Sequence, residues 1–337
     1  MKKSRRTSME YLGMDLHGIS ELVEVRGRKI LSRYPHAVNQ AIKHTTAYQL
    51  NGTEIRLVPL EDCYVTLESM GRRHMTKVMV YYGDMAYPEE IHFEKETTIP
   101  VLVAKLNDVE LTDRFPHPFG FSFNVVRICI FSDNVLIKRV SGKHRLPFED
   151  EVPSLKMMTY GTSITQGFFP TAVDLTYPNI VARTLNADLV NYGLAGNCLC
   201  EKEVADFLMK SGTYDIVVLE LCVNMLVAGI SGAEFEKRVR YLVDGLMMHQ
   251  PQAKILCLGT LPFYADYGMS SPRDVIVSSP AEYRAILKRI VDEKNSGKIV
   301  YVDPMTALSM HNLSTDFIHP SNFGMIEIAN TLIQTLK

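Results

Sequence analysis

Two periods divide the chain. In the first half apolar and polar positions alternate: Cys63, Val65 and Leu67 against Tyr64, Thr66 and Glu68, the period of two of a strand with one buried face. Similar runs occupy Thr76–Tyr82, Glu89–Phe93, Ile99–Lys105, Phe121–Phe131 and Val135–Val140. Turn formers separate many of them: Gly71, Gly83-Asp84, Asn107-Asp108, Asp133-Asn134 and Ser141-Gly142. Asn51-Gly52, between short apolar stretches, reads as a tight hairpin turn. Many short strands without long helices between them predict an all-β sandwich of jelly-roll type. Residues 1–45 carry no clear period.

The alternation breaks at His144–Ser154, which holds two prolines and three consecutive acids. The domain boundary is placed there, giving a β-sandwich over 1–150 and a second domain over 151–337. In the second domain short apolar runs predict strands at Lys156–Tyr160, Asp188–Tyr192, Asp215–Leu219, Lys254–Leu258 and Lys298–Val302. Helices are predicted at about 174–186, 200–210, 233–249, 280–294 and 322–336; in the fourth, Tyr283, Ile286, Leu287 and Ile290 recur at helical spacing. Strands alternating with helices define a doubly wound α/β domain, whose functional residues belong in the loops after the strands' carboxyl ends.

Composition narrows the function classes. With 36 Lys+Arg against 38 Asp+Glu, the 337-residue chain lacks the basic balance that nucleic acid or an anionic membrane surface favours. Lys2, Lys3, Arg5 and Arg6 form the one basic cluster and read as a solvated tail. The most apolar stretch, Ile216–Ile230, is short for a bilayer span and is interrupted by Glu220 and Asn224. No signal-like apolar run follows the charged start, so the expected location is the cytoplasm. The six cysteines are sparse, show no CxxC pair, and mostly sit in apolar runs as small hydrophobes.

Four post-strand loops carry candidate chemistry. They are Tyr160-Gly-Thr-Ser163-Ile-Thr-Gln-Gly167, Asn191-Tyr-Gly193-Leu-Ala-Gly196-Asn197, Glu220-Leu-Cys222-Val-Asn224-Met225, and Ser314-Thr-Asp316-Phe-Ile-His319-Pro320. Singly, each residue is explained by a cap or a turn. As a set they supply a hydroxyl nucleophile, glycine amides, an Asn side chain, and an Asp with a His, which are the parts of acyl transfer.

This set resembles the SGNH/GDSL hydrolase family, whose namesake Ser, Gly, Asn and His lie in four such blocks. The matching residues are Ser163, Gly193, Asn224 and His319, in order, over about 155–337. The resemblance implies a flavodoxin-like SGNH domain and a metal-free serine esterase, acylhydrolase or acyltransferase. Ser163, His319 and Asp316 would be the catalytic triad, with oxyanion donors from Ser163, Gly193 and Asn224. The β-rich first half is similar to the accessory sandwich that precedes this domain in some carbohydrate-directed and acyltransferase-like members. Two positions depart from the pattern. Thr162 stands where the family's Gly-Asp-Ser start has its acid, and Cys222 stands where a Gly is usual, a strained position if it requires positive φ.

The expected activity is release of a short acyl group, acetyl for example, from a small-molecule or carbohydrate ester. His319 would take the Ser163 proton, since imidazole titrates near neutrality. Asp316, three residues earlier, would share a face with it in one helical turn and fix its tautomer. Phe168, Phe169 and the aromatic loop Gly259–Pro272 are candidate walls of the acyl site. No cofactor, metal, nucleic-acid or membrane partner is expected: the chain has no Gly-x-Gly-x-x-Gly, no Gly-x4-Gly-Lys-Ser/Thr, no His-x-His and no His-Glu-x-x-His. The alternatives are an acyltransferase with the same triad, a non-catalytic carbohydrate-binding protein, and a flavodoxin-like cofactor module. Oligomeric state is left open, a homo-oligomer included.

Overall fold

The structure, a computed structural model, describes residues 8–42, 45–70, 76–103, 120–131 and 134–337. The basic cluster from Lys2 to Arg6, the turns at Gly71 and Asn107-Asp108, Asp133, and the end of the predicted strand Ile99–Lys105 lie outside them. Contacts divide the chain into two compact units. One is Leu155–Leu185 with Asn191–Lys337; the other is the described part of Arg6–Ser154 with Asn186–Val190.

The strands of the N-terminal unit are β1 (Ser8–Tyr11), β2 (Met14–His17), β3 (Glu21–Val25) and β4 (Arg28–Ser32), followed by helix α1 (His36–Ile42). Next come β5 (Thr53–Pro59), β6 (Cys63–Ser69), β7 (Thr76–Tyr82), β8 (Met85–Ala86) and β9 (Ile91–Phe93). The last are β10 (Glu96–Val101), β11 (Val126–Phe131), β12 (Val135–Ser141) and β13 (His144–Arg145). One sheet runs β1-β2-β5-β11-β7-β8, with β13 on β5 and β9 on β7; a second runs β10-β6-β12; β3 and β4 form a hairpin. Register places Ile128 opposite both Ile55 and Val80. These join Val65, Leu67, Ile99, Val101, Val135 and Ile137 in one buried cluster. The period-two residues of both sheets therefore share a core, as in a sandwich.

Local interactions shift several predicted bounds. The strand expected over Phe121–Phe131 starts at Val126, because Val125 N–H closes a turn onto Ser122 O at 3.0 Å. Asn51-Gly52 does turn, with Gly52 at φ 79°, but a 3-10 turn at Thr46–Tyr48 precedes it in place of a strand, so it makes no hairpin. Residues 8–42, which show no period, form two short strand pairs and a helix.

From Leu155 onward the elements are β14 (Leu155–Tyr160), α2 (Ser163–Gln166), α3 (Tyr177–Leu185), β15 (Ala187–Asn191), α4 (Lys202–Lys210) and β16 (Ile216–Glu220). The chain continues with α5 (Val223–Val227), α6 (Gly232–His249), β17 (Lys254–Leu258), α7 (Pro280–Glu293), β18 (Ile299–Val302), α8 (Pro304–Ala307) and α9 (Asn322–Leu336). The sheet order is β15-β14-β16-β17-β18, and β14, β16, β17 and β18 pair in parallel. The chain thus steps from β14 to one side and then returns to the other, which puts a switch point at the carboxyl ends of β14 and β16. Helix starts follow local chemistry: Ser231, Ser279 and Ser321 cap α6, α7 and α9, and Pro280 begins α7. Among the described residues no helix is long and apolar enough to cross a membrane.

Candidate active site

The first post-strand loop turns directly into α2. Thr162 is its N-cap in extended backbone, its hydroxyl oxygen accepting from Ile164 N at 3.2 Å. Ser163 is the first helical residue, where a backbone N–H has no partner within the helix. Gly167, at φ 99°, ends the helix after one turn. Ser163 is nearly buried, and its Oγ lies 2.7 Å from His319 Nε2.

His319 is supplied from far along the chain. Its Nδ1 lies 2.6 Å from Asp316 Oδ2, so Asp316, His319 and Ser163 form a continuous relay. Asp316 Oδ1 also accepts from the backbone N–H groups of Ile318 and His319 and from Ser314 Oγ, each at 3.0 Å. Burial pushes the Asp316 carboxyl up, but the backbone and ring donors of His319 outweigh it and hold the group below its ordinary range. The i,i+3 contact does not come from a helical turn as expected. The segment bends through Phe317 at φ 56° and is closed by a bridge between Leu313 and Pro320. Ser314 N–H donates to His319 O at 2.7 Å, and its single hydroxyl proton is shared between His319 O, also at 2.7 Å, and Asp316 Oδ1, clamping the bend.

Phe169 stacks on the His319 ring, with centroids 4.7 Å apart and planes at 15°. Phe168 lies at 6.4 Å. Both aromatics thus flank the imidazole. In the loop after β17, Phe263 is buried, while Tyr264 N–H donates to Phe317 O at 2.8 Å. Arg284 fixes that loop through a paired contact with Asp266 at 2.6 and 2.7 Å.

The predicted oxyanion residues differ in what their polar groups already do. Gly193 N–H donates to Asn191 Oδ1 at 2.8 Å, inside the loop. A Cβ at Gly193 would come within 2.4 Å of Gln166 N, so this glycine permits the close approach of the second loop to α2. Gly196, three residues on, has φ 70°, open space beside its Cα, and no hydrogen bond to its N–H among the described residues. Asn224 lies in the first turn of α5, nearly buried, and its Oδ1 accepts from Cys198 N at 3.2 Å. That contact turns the amide so that Nδ2 remains as donor. Cys222 caps α5 at φ −158°, extended backbone that any residue adopts, so its replacement of the usual glycine introduces no left-handed strain.

A fully buried carboxylate lies beneath the Ser163 turn. Glu220 Oε2 accepts from Thr162 N at 2.8 Å, Thr162 Oγ1 at 2.7 Å and Thr165 Oγ1 at 3.1 Å; Oε1 is buried without a partner. Burial raises its carboxyl to about 7, the three donors opposing the shift. The acid absent at position 162 is thus met by one reaching across from β16. Glu220 and Gln166 are not among the site residues the sequence predicts. The one visible signal was a lone charge closing the apolar run Ile216–Leu219.

The hydrogen-bonded Ser163, His319 and Asp316 lie in loops at the carboxyl end of an α/β sheet, where such folds place their sites. Residues 155–337 match the GDSL-like lipase/acylhydrolase family, more than half of the chain, and the protein belongs to that family and is a hydrolase of ester bonds. No curated protein sequence matches it. Its fold is similar to that of a salicylyl-acyltransferase from a tetracycline biosynthetic pathway, with a TM-score of 0.73 and 14% identity over 100% of this chain and 97% of that one. An acetyl xylan esterase from the rumen bacterium Butyrivibrio proteoclasticus gives a TM-score of 0.57 at 14% identity, covering 97% and 95%. A family two carbohydrate esterase from Clostridium thermocellum, in complex with cellohexaose, gives 0.55 at 15% identity, covering 86% and 93%.

Proposed function

We propose that the protein is a serine esterase that removes a short acyl group, such as acetyl, from a carbohydrate or other small-molecule ester. The observation that carries this reading is the continuous Ser163–His319–Asp316 relay. In the proposed mechanism His319 Nε2 takes the Ser163 proton as Oγ attacks the ester carbonyl, and Asp316 stabilises the imidazolium that forms. The tetrahedral oxyanion receives the Ser163 backbone N–H and the Asn224 Nδ2 amide. Gly196 N–H is the third donor, because Gly193 N–H is engaged by Asn191. His319 then protonates the leaving alkoxide, and water repeats the sequence in reverse to free the acid. Phe168 and Phe169 border the imidazole, and in this reading they wall the acyl site. A carbohydrate alcohol is supported by the fold shared with a carbohydrate esterase and an acetyl xylan esterase. Six buried, unpaired cysteines suit a reducing compartment, and the proposed location is the cytoplasm.

Transfer of the acyl group to an alcohol is the second reading, favoured by the whole-chain similarity to a salicylyl-acyltransferase. A series of p-nitrophenyl esters of increasing chain length tests both. Acetyl and propionyl esters should turn over fastest, with free acid as product. Faster release on adding sugar alcohols, with acylated sugar as product, would make transfer the dominant reaction. No turnover of any ester and no fluorophosphonate labelling would overturn the proposal.

A further inference from the structure

Three cysteines that the sequence presents as small hydrophobes meet behind the proposed oxyanion site. Cys198 and Cys200 lie in the loop after β15, and Cys222 precedes α5. Their sulfurs lie within 4.8 Å of one another, with Cys198 and Cys222 at 3.2 Å. Each residue is at most 2% exposed. We propose that these three thiols form a binding site for one thiophilic closed-shell metal ion, of the zinc, cadmium and cuprous class.

The spacing suits such an ion. A metal–sulfur bond of about 2.3 Å places sulfurs of a tetrahedral or trigonal centre roughly 3.8–4.0 Å apart. Cys198 and Cys222 sulfurs lie 3.2 Å apart and no pair in the group is more than 4.8 Å apart, so the three can converge on one ion. No His, Asp or Glu joins the group among the described residues, and an all-sulfur donor set selects soft ions over magnesium or calcium. The backbone is already committed to the arrangement. Cys200 holds φ 50°, a left-handed conformation uncommon for a side chain like this, and its N–H donates to Tyr160 OH at 3.3 Å.

The charges are also arranged for it. The Arg238 side chain reaches the same loop. Arg238 Nη1 donates to Leu199 O at 3.0 Å, between the two loop cysteines. The Cys222 thiol donates to Cys198 O at 2.6 Å. Binding is a ligand exchange without electron transfer. Each thiol that becomes a ligand releases its proton to solvent as its sulfur–metal bond forms. A divalent ion with three thiolates carries one net negative charge, opposite Arg238.

The site has a consequence for turnover, and this part rests on the acyl-transfer reading. Cys198 supplies both a sulfur ligand and the N–H that orients Asn224. Moving Cys198 onto a metal misaligns that donor, with a ceiling of about 10²–10³-fold on kcat, the cost of losing one oxyanion donor.

The test is an anaerobic titration of the reduced, full-length protein with cadmium. A sulfur-to-cadmium charge-transfer absorption should saturate at one equivalent with release of protons, and zinc should displace it. Cys200→Ser, Cys198→Ser and Cys222→Ser should each weaken the absorption, and Cys63→Ser should leave it intact. In case a variant does not fold, alkylation of the wild-type protein followed by mass spectrometry supplies a second reading: the ion should protect these three thiols together. Absence of the absorption, its persistence in a folded Cys200→Ser variant, or a Cys198–Cys222 disulfide in place of metal would each overturn the site. A saturating absorption with unchanged kcat would keep the site and remove its link to Asn224. No ester turnover at all would instead fall on the acyl-transfer reading.

Discussion

Glu54 in the β-unit and Glu220 in the hydrolase unit are the same residue type, both buried at or near the end of a strand, and the fold treats them oppositely. Glu54 meets Arg127 at 2.9 Å and Arg56 at 2.7 Å; Arg56 in turn meets Asp188 at 2.8 Å. Burial pushes the Glu54 carboxyl up, but the Arg127 and Arg56 guanidinium groups hold it well below its ordinary range. Glu220 has only N–H and hydroxyl donors, and burial carries it to about 7. Cations make a buried carboxylate part of the framework. Neutral donors leave it poised, and here they are the residues that cap and shape the Ser163 turn.

The comparison implies that loss of Glu54 costs stability, whereas loss of Ser163 or Asn224 costs rate. The largest effect is expected from Ser163→Ala. It should lower kcat by about 10⁴–10⁶-fold and abolish fluorophosphonate labelling while the thermal midpoint is kept. Labelling that persists on another serine would remove Ser163 as the nucleophile.

Glu54→Gln should act in the reverse sense. It leaves Arg127 and Arg56 buried without their shared anion, a loss of about 3–5 kcal/mol by urea denaturation. The wild-type contribution should be present above pH 4.5 and fade as pH falls through the lowered native value. A variant as stable as wild type would show that the Arg pair does not depend on this acid.

Asn224→Ala should reduce kcat by about 10²–10³, roughly 2.7–4 kcal/mol of barrier, with KM little changed. A folded variant with normal kcat would leave the backbone N–H groups of Ser163 and Gly196 as the oxyanion donors.

Glu220→Gln sharpens the comparison through pH. Between pH 4.5 and about 7 the native carboxyl holds a proton that the unfolded chain has released, so wild-type stability falls as pH rises through that window. The full penalty, for a carboxyl raised from 4.5 to about 7, is about 3 kcal/mol. Stability curves for wild type and Glu220→Gln measured at pH 5 and pH 8 should therefore diverge at the higher pH, the variant being the more stable. Parallel curves would place the carboxyl near its ordinary value.

The alternation at Cys63–Leu67 and the helical spacing of Tyr283, Ile286, Leu287 and Ile290 specified element type directly, because periodicity is a local property of side chains on a strand or helix. The order of strands and helices after Ser154 was enough to identify an α/β sheet, and with it the loops that hold Ser163, Asn224, Asp316 and His319. Which groups those loops bring into contact was a matter of tertiary structure. Gly193 and Gly196 look alike in the chain; only the folded loop, in which Asn191 takes one N–H and leaves the other, tells them apart. The bend at Phe317 replaced an expected helical turn because Ser314 and the Leu313–Pro320 bridge close it from outside the i,i+3 pair. Glu220 under Thr162, and Cys222 beside Cys198 and Cys200, pair residues more than twenty positions apart. No local pattern encodes such meetings, since they follow from strand order and from how closely a loop can approach a helix where glycine carries no side chain.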